Sequence, residues 1–162
     1  MPGPSPGRVE TKGPDAVDLT GEGVVPAGLE AVFAYVADLA TYPRWLGIVQ
    51  TADPEADNQA DRDPAWLVGL GARLGPLRKT KRVRMVRAAC RPSSHVRFER
   101  VEQDGRDHSA WVLTADLLPE GSGTRLCMHL HYGGGRWLPG LDLLLREEVR
   151  RATGRLSLLV QD

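Results

Sequence analysis

The sequence predicts an α+β fold in which a curved antiparallel β-sheet wraps around a long C-terminal α-helix, with two short helices after the first strand. Three observations predict it. From Trp137 to Val160, apolar residues fall at Leu138, Leu141, Leu145, Val149, Ala152, Leu156 and Leu159. These steps of three and four make an amphipathic helix, with Arg146, Glu147, Arg150 and Arg151 on its other side. The middle of the chain alternates at a period of two and is cut by turn signals: LGP at 74–76, RPSS at 91–94, QDGRD at 103–107 and PEGSG at 119–123. Four or five antiparallel strands fit that punctuation. In VFAYVADLATYPRWLG, Val32 to Gly47, the residues Val32, Phe33, Val36 and Leu39 keep helical spacing until Pro43, which forces a break or restart near Thr41. A sheet that curves around the last helix buries the helix stripe and one sheet face together.

In order, MPGPSPGRVETKGPD is rich in proline, glycine and charge, so residues 1–16 are expected to be a disordered leader and 17–162 one domain. AVDLTGEGVV reads as the first strand, ended by Pro26 and Gly28. The opening helix covers about Leu29 to Leu39, and Trp45 follows on a very short second element. GIVQTA is a second strand, before the acidic loop DPEADNQADRDP. The 162 residues carry 21 Lys plus Arg against 21 Asp plus Glu, which argues against a dedicated nucleic-acid binder. The sequence holds no apolar run of membrane-spanning length and no secretion signal, so a cytoplasmic protein without membrane insertion is expected. Cys90 and Cys127 have no metal-ligand spacing and read as reduced, packed thiols.

Even-membered hairpin loops fix a register by arithmetic. Turns centred at 92–93, 105–106 and 120–121 pair Val96 with Ala115 and Ala115 with Leu126. They align Phe98, Leu113 and Met128, then Arg100, Trp111 and Leu130, and a turn at 75–76 adds Trp66, Val68, Val83 and Met85 to the same apolar face. The opposite face then holds three rows: His95, Asp116 and Arg125; Arg97, Thr114 and Cys127; Glu99, Val112 and His129.

The inward face also carries polar groups: Arg87 beside Phe98, and Arg100, Glu102, Ser109 and Tyr132 beyond the apolar rows. Buried polar groups need partners. One reading is an Arg100–Glu102 pair that caps the core, with Arg100 stacked on Trp111. The other is a ligand pocket whose apolar body is topped by a few oriented polar groups. Its apolar wall would be Phe98, Trp111, Leu113, Met128 and Leu130, with Leu141 and Leu145 from the helix. His129 and His131 face outward without a third ligand in view, so no metal is expected there. Asp53, Glu55, Asp57, Asp61 and Asp63 lack the glycine and terminal glutamate of an EF-hand loop. HYGGGRW at 131–137 joins a strand to a helix without a nucleotide fingerprint.

Three stretches carry a family resemblance. VPAGLEAVFAYVADLATYPRW resembles the opening of the START-like, polyketide cyclase/dehydrase superfamily. GTRLCMHLHY after PEGS resembles that family's strand before the last helix, and LDLLLREEVRRATGRLSLLV its closing helix. The resemblance covers about residues 17–160. It implies a helix-grip fold, with the Y-P-x-W break letting a helical wedge close one end of a cavity and Trp45 plugging it as core. It also implies a small hydrophobic ligand, lipid or polyketide-like, and no catalytic residue is transferable by motif.

Three functions follow as expectations. The first is a binding module without cofactor, monomeric or weakly dimeric, holding a small hydrophobic molecule between sheet and helix. The second is an aromatase/cyclase or dehydratase in which Arg100 stabilises an enolate and Tyr132 donates a proton. The third is an interaction protein using Arg78, Lys79, Lys81, Arg82 and Arg84 of strand 78–84 on an acidic partner, ribosomal RNA or an anionic membrane.

Overall fold

The structure, a computed structural model, describes residues 16–56, 63–74, 76–134 and 141–161. The side chains of Ala72, Leu74, Leu77, Leu141 and Asp142 also lie outside that description, as does the expected leader up to residue 15. The alternating segments form seven strands: β1 (Val17–Val25), β2 (Val49–Pro54), β3 (Ala65–Leu74), β4 (Leu77–Arg91), β5 (His95–Arg100), β6 (Trp111–Glu120) and β7 (Gly123–Tyr132). They make one antiparallel, curved sheet in the order β1-β7-β6-β5-β4-β3-β2, so the first strand pairs with the last. Helix α1 (Leu29–Val36) and a 3₁₀ helix (Leu39–Arg44) follow β1, and α2 (Leu141–Val160) closes the chain.

The helical break comes earlier than Thr41. Asp38 caps the 3₁₀ helix, its Oδ1 accepting the Ala40 N–H at 3.0 Å. The Thr41 hydroxyl donates to the Tyr35 carbonyl at 2.7 Å. Short polar side chains that capture backbone groups end α1 before Pro43 is reached. Leu39 therefore belongs to the 3₁₀ helix, where it is buried.

The expected register holds for β3–β4 and β5–β6, where Trp66 faces Met85 and Val96 faces Ala115. Between β4 and β5 a bulge separates Arg87↔Phe98 from Ala89↔Arg97. Between β6 and β7 the ladder is two residues from expectation: Ala115 faces Met128, and Phe98, Leu113 and Leu130 align in place of Phe98, Leu113 and Met128. Glu120 pairs with Gly123, so the loop is Gly121–Ser122, and Gly121 takes φ +59°. A two-residue hairpin loop wants a positive φ at its first position, which places the glycine there. The outer rows move with it: Asp116 faces Cys127, Thr114 faces His129 and Val112 faces His131. An even shift keeps every residue on its own face.

The α2 stripe is buried at Leu145, Val149, Ala152 and Leu156, as its spacing predicts. The helix crosses β1 at two glycines. A Cβ on Gly21 would overlap Val149 Cγ1, and one on Gly23 would meet Thr153 Oγ1. Gly21→Val should therefore destabilise by about 1–3 kcal/mol through overpacking. Gly154→Ala in α2, where a Cβ meets nothing within 4 Å, should stabilise by about 0.5–1 kcal/mol. Urea midpoints read both, and a neutral Gly21→Val would mean that α2 does not rest on β1.

Candidate functional site

The inner face of the sheet carries an aromatic cluster, apolar rows and a small polar group. At the α1 end, Tyr42, Trp45, Trp66 and Phe98 form an aromatic cluster, with Phe98 edge-on to Tyr42 at 6.0 Å and to Trp66 at 5.6 Å. Trp45 is fully buried, as a plug should be, and its indole N–H donates to Thr41 Oγ1 at 3.1 Å. The middle rows are Val96, Ala115 and Met128, then Phe98, Leu113 and Leu130, all buried. Next, Trp111 faces Tyr132 and stacks on it, ring centroids 4.4 Å apart. Leu145 of α2 is buried with this core; Leu141 opens the helix, its side chain outside the description.

Polar groups collect beyond that stack. Arg100, opposite Met85, has a side chain only 8% exposed. Its Nε donates to Glu102 Oε2 at 2.6 Å and its Nη1 to the Ser109 carbonyl at 3.2 Å. Glu102 Oε2 also accepts the Arg84 N–H at 3.1 Å. Burial pushes the Glu102 carboxyl up, but the hydrogen bonds from Arg100 and Arg84, with the charges of Arg100 and His108, outweigh it and hold it below its ordinary value. The Ser109 and Tyr132 hydroxyls both close on Gly134, where a Cβ would overlap them.

Of the expected residues, Arg100, Glu102, Ser109, Trp111 and Tyr132 thus meet at one end, above Leu113 and Leu130. Arg87 stands apart: it lies at the bulge and its Nη1 donates to the Ala37 carbonyl at 3.0 Å, tying α1 to the sheet. The sequence reading missed Lys81 as a site residue. It faces buried Leu70, and its Nζ lies 5.7 Å from the centroid of the Tyr132 ring. Strand parity marks it, because Lys81, Val83 and Met85 must share a face.

The same parity divides the basic strand. Lys81 points inward, while Arg84 turns outward to Glu55 at 2.8 Å and to the Val101 carbonyl at 2.9 Å. On the outer face His129 and His131 both pair with Asp18 Oδ1, at 3.2 and 2.9 Å, and His95 pairs with Asp116 at 2.7 Å. Among the described residues no group of three or more side chains is placed to hold a metal ion. Asp53, Glu55 and Asp63 are exposed, and Asp57 and Asp61 lie outside the described residues, as do residues 135–137 of HYGGGRW. Cys90 and Cys127 are free thiols but not packed ones: Cys90 is exposed and Cys127 half-buried, because both sit where the sheet meets solvent.

A family model described as polyketide cyclase/dehydrase and lipid transport matches residues 16–160. The chain belongs to this family. Solved structures share its fold at low identity. A Thermus thermophilus protein, TTHA0849, is 21% identical, with TM-score 0.64, 89% of this chain and 97% of that one covered. A START superfamily protein of Mycobacterium smegmatis is 18% identical, with TM-score 0.63, 90% of this chain and 97% of that one covered. The di-domain ARO/CYC protein BexL of the BE-7585A biosynthetic pathway is 14% identical, with TM-score 0.64, 91% of this chain and 50% of that one covered. A search of curated proteins finds no match. The curved sheet and closing helix are the START-like helix-grip arrangement. Membership supports, in general terms, hydrophobic-ligand binding or a cyclase-like role. No helix among the described residues is long and apolar enough to cross a membrane.

Proposed function

We propose that this protein binds a small hydrophobic molecule, lipid or polyketide-like, between the inner face of the sheet and α2. The observation that carries the reading is the make-up of that face: a buried aromatic cluster and apolar rows, bordered by a small polar group. Such a wall suits a molecule with an apolar body and one polar end. Binding is favoured over catalysis because Arg100 is already committed to Glu102 and to the Ser109 carbonyl. A neutralised guanidinium offers little to a developing enolate. The convergence of the Ser109 and Tyr132 hydroxyls on Gly134 favours the second reading, an aromatase/cyclase or dehydratase with Tyr132 as proton donor. The basic strand is the weakest candidate, since its pleat sends Lys81 and Arg84 to opposite faces.

Native mass spectrometry of protein isolated from its own host tests the binding reading. The expected result is a stoichiometric apolar molecule that can be extracted and identified. A protein that carries nothing, and that does not enhance the fluorescence of N-phenyl-naphthylamine, would overturn it.

A further inference from the structure

We propose that Lys81 selects ligands bearing a carboxylate, which pairs with its ammonium at the Tyr132 end of the inner face while the apolar body lies along Leu113 and Leu130. This rests on the binding reading above and assigns the chemical class of the polar end.

Position is the first support. Lys81 belongs to β4 and Tyr132 to β7, with β5 and β6 between them. Three strand spacings amount to roughly 14 Å along a sheet. Yet Nζ lies 5.7 Å from the Tyr132 centroid, so the curved sheet lets this side chain reach across the concave face. The ammonium thus lies across the end where Arg100, Trp111 and Tyr132 line the wall.

Charge is the second. Among the described residues at this end, Lys81 and Arg100 are cations and Glu102 is a carboxylate. That carboxylate is already claimed by Arg100 Nε at 2.6 Å and by the Arg84 N–H. Lys81 makes no ion pair with any described residue, and its ammonium lies over the face of the Tyr132 ring. A half-buried ammonium beside an arginine is disfavoured, and its pKa is lowered first by burial and then by the Arg100 charge. An incoming carboxylate relieves both effects. The ammonium suits an anion, and the Ser109 and Tyr132 hydroxyls stand nearby as donors to its oxygens. Charge-assisted pairs of this kind are about twice as strong as neutral hydrogen bonds.

The test uses the full chain at neutral pH, with the neutral fluorophore N-phenyl-naphthylamine as probe. Dodecanoate, its methyl ester and dodecyl phosphate compete in parallel against wild type, Lys81→Met and Lys81→Arg. Circular dichroism melts confirm that each variant is folded. We expect dodecanoate to displace the probe at concentrations about tenfold below those of the ester. The ratio should collapse towards one in Lys81→Met and survive in part in Lys81→Arg. A ratio near one in wild type, or a tenfold ratio retained in Lys81→Met, overturns the proposal and leaves hydrophobic binding standing. Preference for dodecyl phosphate overturns the carboxylate assignment. A wild-type protein that binds neither probe nor competitors overturns the binding reading as well.

Discussion

Trp45→Ala should destabilise the protein by about 3–5 kcal/mol, the range for emptying a fully buried large side chain. Trp45 is wholly inaccessible and sits at the join between the 3₁₀ helix and the sheet, its ring 4.3 Å from that of Tyr42. Tyr42 is itself anchored by donating to the Val36 carbonyl at 2.8 Å, and it meets Phe98 edge-on. The wedge is therefore held from both sides and cannot collapse into the space left by the indole. Removing the indole also deprives the Thr41 hydroxyl of the N–H it accepts. Trp45→Phe should lose less, because most of the volume stays. Chemical denaturation followed by far-ultraviolet circular dichroism gives both values, since three other tryptophans confuse fluorescence. A loss below about 1 kcal/mol would mean that the wedge repacks, and the plug interpretation would fail.

The fold is legible because its punctuation is strong. Gly and Pro turns, a period-two middle and a three-and-four stripe to Leu156 allow few arrangements, and all seven strands fall where those signals put them. The departures are local and physical. Turn arithmetic centres the β6–β7 loop one residue early, on Glu120–Gly121, although the positive φ of Gly121 belongs at the first loop position. The β4–β5 bulge next to Arg87 leaves no composition signal, since Ala88 is an ordinary strand residue. Pro43 places the α1 break near Thr41, while Asp38 and Thr41 end the helix earlier through their side chains.

The site is legible only as far as face assignment. Strand parity puts Arg100, Trp111 and Tyr132 inward, and the structure agrees for each. Parity cannot say whether an inward arginine is free or paired, because that depends on where Glu102 lies after the strand ends. Nor does it reveal that Lys81 meets Tyr132, a contact between strands far apart in sheet order that only curvature creates. The same rule applied to Lys81 itself moves it out of the basic patch. The run RKTKRVR hides it, because a cluster of like charges reads as one solvated surface.

Arg100→Met should destabilise by about 3 kcal/mol, the low end for breaking a buried ion pair, because water still reaches part of Glu102. The loss comes less from the missing attraction than from the carboxylate left behind. Glu102 keeps only the Arg84 N–H, in surroundings that otherwise push its pKa up. The sign of the pH dependence follows. The folded pKa of Glu102 lies below its unfolded value, so the pair's contribution is full above about pH 4.3 and is lost as pH falls through the lower folded value. The stability gap between wild type and Arg100→Met should therefore be widest near neutrality and close as pH falls, since Glu102 takes up its proton in the variant before it does in the wild type. Adding Glu102→Gln to Arg100→Met should recover part of the loss at neutral pH, since a neutral amide can still accept the Arg84 N–H. A gap that persists unchanged into acid would assign the stabilisation to the packed aliphatic stem of Arg100 rather than to its charge.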